Sequence, residues 1–130
     1  MGVGVFDVVS PWNQGVSLPV GGGGETVHIP DTDIKQAKFV TQLLVANRDS
    51  IAHVLQLGLD ADRDQVWVAE VTIPVGTGVA DVPPIDLLPL LLPGGVGGVA
   101  LRSTDGVTVI CPVARATGVV TFLAVGGWLV

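Results

Sequence analysis

Residues 39–73 read FVTQLLVANRDSIAHVLQLGLDADRDQVWVAEVTI, and this stretch decides the fold class. Phe39-Val40-Thr41-Gln42-Leu43-Leu44-Val45-Ala46-Asn47 reads as a strand and stops at Asn47-Arg48-Asp49-Ser50, residues whose side chains form turns by bonding nearby backbone. Ile51 to Leu59 follows at hairpin distance, so the two segments are expected to pair antiparallel. On the second, Ile51, His53, Leu55, Leu57 and Leu59 share one face. Asp60-Ala61-Asp62-Arg63-Asp64 is then a charged loop, after which Trp67, Ala69, Val71 and Ile73 alternate with Val66, Val68, Glu70 and Thr72. That period of two predicts a strand in a sheet with one buried face.

Working outward, Pro74-Val75-Gly76-Thr77-Gly78 breaks the strand, while Pro83-Pro84 and Pro89 bar a long helix or a central strand. The segment 80–98, with Ile85 to Leu88, is therefore expected to be an irregular connection or an edge. Past Pro93-Gly94-Gly95-Val96-Gly97-Gly98 come three more strands, Val99 to Ser103, Val107 to Val113 and Val119 to Val125. Thr104-Asp105-Gly106 is read as a tight turn joining the first two. Upstream lie Val3 to Val9, a turn around Pro11-Trp12-Asn13-Gln14-Gly15, Val16 to Val20, four glycines at 21–24, and Glu25 to Ile29. Residues 1–24 read as an N-terminal arm or first strands with a Gly-rich linker, and 25–130 as a β-sandwich domain.

The composition agrees: Val occurs 25 times and Ile 6 times, with 18 Gly and 9 Pro set between the apolar runs. Short strands separated by turns at this spacing indicate an all-β, single-domain sandwich or barrel, and the long connection around 80–98 favours a jelly-roll-like arrangement.

At 130 residues the chain has room for one core, yet 48% of it is hydrophobic and only 14% charged, with a mean hydropathy of +0.64. A typical soluble domain is about 25% charged. So small a particle cannot hide this much apolar surface in one core, and some must face a membrane, a ligand or another chain. The longest apolar stretch, Val82 to Leu101, is broken by Asp86, prolines and glycines and cannot make a spanning helix of about 20 residues. No basic residue precedes Lys35, so a secretory signal is not expected, and Phe6 stands where a myristoylation motif wants Ser or Thr. A net charge of −6 and scattered basic residues count against nucleic acid. With a spanning helix and nucleic acid set aside, what is left to cover that surface is a ligand or another protein chain, copies of this one included.

No motif supplies catalysis, and no catalytic, cofactor or metal residue is assigned. Asp60, Asp62 and Asp64 have the opening spacing of a calcium loop, but Gln65 and Val71 occupy the places of its Gly and Glu. The glycines at 21–24 have no Lys-Ser/Thr after them and read as a linker rather than a phosphate cradle. His28 and His53 are the two imidazoles, and His53, on an apolar strand face, reads as a hydrogen-bonded core or interface histidine. Cys111 reads as a small core hydrophobe. With no Tyr and 5% aromatics, sugar sites find little support. The candidate partner-contact residues are Phe6, Trp12, Trp128 and Leu129, large apolar groups near the two ends of the sequence.

The run Leu43-Leu44-Val45-Ala46-Asn47-Arg48-Asp49-Ser50, the strand after it, Val71-Thr72-Ile73-Pro74-Val75-Gly76-Thr77-Gly78, the Leu-rich segment and Pro93-Gly94 together resemble small β-sandwich structural proteins of tailed bacteriophages, capsid decoration (cement) proteins first. The likeness covers roughly residues 39–125 and is one of layout. It implies a homotrimeric virion protein on the capsid surface that clamps the major capsid protein shell, made in the host cytoplasm during assembly. Tail, neck or head-completion proteins share the layout, and a ligand- or glycan-binding jelly-roll module is a further alternative.

Overall fold

A computed structural model describes residues 8–29, 37–61, 64–91, 99–101 and 105–129. Its strands are β1 (Val8–Leu18), β2 (Glu25–Ile29), β3 (Lys38–Asn47), β4 (His53–Ala61), β5 (Asp64–Ile73), β6 (Ile85–Asp86), β7 (Val99–Leu101), β8 (Gly106–Cys111) and β9 (Val120–Leu129), with a single helical turn α1 (Leu88–Leu91). One sheet runs β1-β9-β3-β6, with β7 also pairing β3, and the other runs β2-β8-β4-β5. All pairs are antiparallel, and the two sheets face each other as an open sandwich.

The pairing has a simple logic. β1 lies against β9, β2 against β8, β3 against β7, and β4 against β5. The chain is thus one long hairpin, its tip between β4 and β5, rolled so that successive rungs fall alternately in the two sheets. That is the jelly roll, with the Gly- and Pro-rich connections serving as crossings from sheet to sheet.

Two local expectations are corrected by this winding. β3 and β4 do not pair with each other, and neither do β7 and β8; each pair is divided between the sheets. The turn chemistry at residues 47–50 is real, but it builds an arch across the end of the sandwich instead of a hairpin. Asn47, fully buried at the end of β3, donates from Nδ2 to the carbonyls of Ile51 (3.0 Å) and Ile73 (3.1 Å), which belong to the other sheet's side. The β4–β5 hairpin forms as its charged loop suggests, with Ala61 opposite Asp64.

The core is the inner face of both sheets. Leu43, Val45, Val120, Phe122 and Ala124 meet Val27, Ile29, Leu55, Leu57, Val107 and Val109, and Leu87, Leu88 and Leu91 close one side. Asp86 fixes that closing segment, its Oδ1 accepting from the amides of Leu43 (3.0 Å) and Leu88 (3.1 Å). Prolines keep β6 to two residues at the sheet edge, as a Pro-rich segment dictates.

The strand alternation is broken in β3, where the register shifts between Val40 and Gln42, and with more consequence in β5. Leu57 is opposite Ala69 but Gly58 is opposite Trp67, so Val68 is an extra residue, a β-bulge. Because side chains alternate faces, one extra residue turns everything before it over. Trp67, in step with Ala69, Val71 and Ile73 in the sequence, is delivered to the outer face and is 47% exposed.

The packing makes a direct test. Phe122 is 2% exposed, and Phe122→Ala should destabilise by ~3–5 kcal/mol in urea unfolding with an unchanged denaturant slope. Leu123→Ala, whose side chain points the other way, should stay within about 0.5 kcal/mol.

Candidate interaction surfaces and a buried polar lock

Three places stand out: a buried polar network at one end of the sandwich, an uncharged sheet face, and the outward-turned tip of β5.

The network is centred on Asp49, in the arch between β3 and β4. Its Oδ1 accepts from the amides of Ser50 (2.8 Å), Thr117 (2.8 Å) and Gly118 (3.2 Å), and its Oδ2 from the amide of Ala116 (2.8 Å). His53 Nε2 donates to the same Oδ2 at 2.7 Å, both side chains being fully buried. Burial pushes the Asp49 carboxyl up, but the Thr117 amide, the His53 imidazole and the amides of Ala116 and Ser50 together outweigh it and hold the group far below the usual carboxylate range. A carboxylate is the right group here because four backbone N–H donors converge on it, and only an acceptor with several lone pairs satisfies them all.

Beyond His53 the network continues. Its Nδ1 faces Cys111 Sγ at 3.6 Å, and the thiol in turn lies near the carbonyl of Val113 at 3.7 Å. Arg115, 1% exposed, donates from Nε to the Pro19 carbonyl (2.9 Å) and pairs through Nη2 with Glu25. Its backbone bridges Gly21, so the four glycines, all with φ between +68° and +150°, form a defined crossing tied to the β8–β9 loop.

Asp49, His53 and Cys111 have the order of an acid, a base and a nucleophile, but all three are sealed in the core. Burial pushes the Cys111 thiol up, with Arg115 beside it working the other way. A buried thiol kept protonated is a poor nucleophile, and none of the three side chains meets solvent. What the arrangement does is tie the β1–β2, β3–β4 and β8–β9 crossings together.

The second place is the outer face of the larger sheet. Across β1, β9 and β3 the outward positions line up as Asn13, Val125 and Gln42, then Gly15, Leu123 and Leu44, then Ser17, Thr121 and Ala46. None of these carries a charge; beyond them β6 places Asp86 opposite Leu44, its carboxylate engaged by the amides of Leu43 and Leu88. A shallow hollow of about 160 Å³ opens there between Leu44, Ala46, Leu123 and the Gly78 and Pro84 of the neighbouring loop. The outer face of the smaller sheet is different, bearing Thr26, His28, Gln56, Asp60, Glu70 and Thr72. At its free edge β5 exposes Val66, Trp67 and Val68 at 53%, 47% and 42%.

The candidate contact residues named from sequence fall differently. Trp12, on β1, is 7% exposed and packs in its own chain's core. Trp128 and Leu129 lie on β9, where their backbones pair with Lys38 and Val8. Phe6 lies outside the described residues. Sequence reading passed over Trp67, which only the bulge exposes, and over the lock around Asp49, whose sole local sign is His53 four residues on. Among the described residues no cluster of three or more His, Cys, Asp or Glu is placed to hold a metal ion, and no helix is long and apolar enough to cross a membrane.

The lock predicts a pH signature. The folded-state pKa of Asp49 is depressed, so its contribution is complete above the unfolded value of about 3.9 and is lost as pH falls below it. Asp49→Asn should lower the melting temperature at neutral pH, since a carboxamide offers one acceptor and points N–H groups at N–H groups. Between pH 5 and pH 2 the wild type should take up about one proton more on unfolding than the variant, giving a steeper acid limb in melting temperature against pH. Parallel curves would show that Asp49 is not ionised in the fold.

No protein-family model matches the sequence, and a search of characterised proteins returned no significant match. Among solved structures, one titled "The crystal structure of Drosophila NLP-core provides insight into pentamer formation and histone binding" is 13% identical, with a TM-score of 0.43 over 88% of this chain and 96% of that one.

Proposed function

We propose that the chain is a non-enzymatic virion structural protein, a phage capsid decoration protein that forms a homotrimer and binds the major capsid protein shell. The observation that carries this reading is the charge-free outer face of β1, β9 and β3. In a 130-residue protein of net charge −6, an open sheet face with no charge in three consecutive rows is suited to being covered. It offers apolar and small side chains to a flat partner, with polar Asn13, Ser17, Gln42 and Thr121 to set register.

The other features fit the same role. The layout resemblance to phage sandwich proteins points to a shell or tail component, and the acidic charge does not suit packaged nucleic acid as the target. On an ordered lattice each contact can be weak, because many copies act together. The polar lock stiffens the loop end and lets the sheet faces act as rigid docking planes.

Placing a carboxylate in the middle of the face tests this. Leu123 is 40% exposed, so Leu123→Glu should leave the melting temperature within a few degrees of wild type. In sedimentation at micromolar concentration the wild type should run as a trimer and Leu123→Glu as a monomer. With capsids assembled from the major capsid protein of the same genome, wild type should pellet with the shells and Leu123→Glu should remain in the supernatant. A variant that associates and decorates as well as wild type would overturn the assignment of this face.

A further inference from the structure

The β-bulge gives the other sheet a feature of its own. Across its outer face His28, Thr108, Gly58 and Trp67 stand in one row, each opposite the next on β2, β8, β4 and β5. Gly58 leaves a gap in the middle of that row, and the indole fills it from one side. A Cβ at position 58 would lie 3.0 Å from Trp67 Cε3 and 3.2 Å from Cζ3, so the six-membered ring lies over the Gly58 backbone. The ring is thereby held by the sheet while 47% of the residue still meets solvent.

In the adjacent row Gln56 is directly opposite Glu70. Both line, with Trp67 and Ala69, an open cleft of about 310 Å³. Among the described residues, no side-chain hydrogen bond engages the Gln56 amide or the Glu70 carboxylate. On the far side of Gly58, Asp60 is held in place by the Thr108 hydroxyl, which donates to its Oδ2 at 2.5 Å.

We propose that this cleft binds a neutral pyranose, its ring stacked on Trp67 and its hydroxyls held by Gln56 and Glu70. The electron-rich face of an indole attracts the weakly positive C–H edges that one side of a pyranose presents, and a sugar covers the ring at little entropic cost. A carboxamide supplies both a donor and an acceptor and a carboxylate supplies acceptors, the set that neighbouring sugar hydroxyls require. An apolar floor with a few convergent polar groups is the general form of a small-ligand site. The acidic groups at hand, Glu70 and Asp60, together with the net charge of −6, disfavour sulfated or sialylated sugars and phosphate-bearing ligands. A flat protein partner fits less well here, because Gln56 and Glu70 line the cleft beside the indole, and its exposed apolar neighbours Val66 and Val68 lie along the free edge of β5 and not in the cleft. Nothing in this site depends on the assembly reading, since the two surfaces belong to different sheets.

The test uses the full chain and a printed array of neutral plant, bacterial and fungal glycans, followed by calorimetry with the best-bound oligosaccharide. Trp67→Ala and Gln56→Ala are the variants, with melting temperature recorded for each and with Leu123→Glu as a control that leaves this face intact. Wild type should bind neutral glycans with micromolar to millimolar affinity, Trp67→Ala should weaken binding at least tenfold, and Gln56→Ala at least threefold, at unchanged melting temperature. Leu123→Glu should bind the same glycan as wild type even where it no longer assembles, which separates failure of this site from failure of the docking face. Gly58→Val, which pushes the indole off its floor, should lose binding while keeping the Trp67 side chain. An array with no glycan retained above the Trp67→Ala background, or binding unchanged by Trp67→Ala, would overturn the proposal. Loss of capsid binding by Trp67→Ala in a chain that binds no glycan would overturn it in favour of a protein-docking hot spot.

Discussion

One carboxylate holds the loop end of this sandwich together. Asp49 gathers the amides of Ser50, Ala116, Thr117 and Gly118 and the ring of His53, and so ties the arch between β3 and β4 to the loop between β8 and β9. A jelly roll needs such a device because its successive strands lie in different sheets, and the crossings have no ladder of their own to satisfy their backbone groups. Here buried amides that would otherwise be unpaired are satisfied by a single side chain. Arg115, donating to the Pro19 carbonyl and paired with Glu25, fastens the crossing from β1 to β2. Replacing Asp49 leaves several buried donors without partners at once, which is more costly than losing any single bond.

The sequence makes most strands legible and the connections illegible, for a physical reason; β1 is the exception, since Pro11-Trp12-Asn13-Gln14-Gly15 reads as a turn but lies within the strand Val8–Leu18, held by its pairing with β9. Alternation is a local property, so β4 declares itself through Leu55, Leu57 and Leu59 and β8 through Val107, Val109 and Cys111. Whether two neighbouring strands pair or part is decided by what lies across the sandwich. Asn47-Arg48-Asp49-Ser50 would serve a hairpin equally well, and nothing nearby in the chain announces that Asp49 finds its partners at residues 116–118. The jelly roll itself was suggested by the long connection around 80–98, whose prolines do confine β6 to a two-residue edge strand.

Trp67 shows how far a single inserted residue can carry. Its place in the alternation assigns it to the face of Ala69, Val71 and Ile73, and the bulge at Val68 reverses that. Bulges leave almost no trace in a sequence this rich in valine, because the extra residue is as β-prone as its neighbours. The outcome is a molecule with two unlike outer faces: one without a charge across β1, β9 and β3, the other mostly polar with one aromatic ring set over a glycine. Composition suggests surplus apolar surface without saying where it lies, and among the described residues it is spread: Leu123 on one sheet, Val54 on the other, Val66, Trp67 and Val68 at the free edge of β5, and Val20, Ile51, Val75, Val82, Leu90 and Val113 outside the long strands.

The position of β9 has a consequence for how the protein comes into being. It is the last of the described strands, yet it lies between β1 and β3 in the middle of the larger sheet. While the chain is being synthesised, β1 and β3 therefore cannot join, and their apolar inner sides have no centre to close upon until residues 120–129 have left the ribosome. Pairings so distant along the chain also close slowly. The uncharged face, whose middle column is Thr121, Leu123 and Val125, does not exist before that step. A chain that stops short of β9 therefore lacks not one edge of this face but its middle, and with it any surface that β1 and β3 could share.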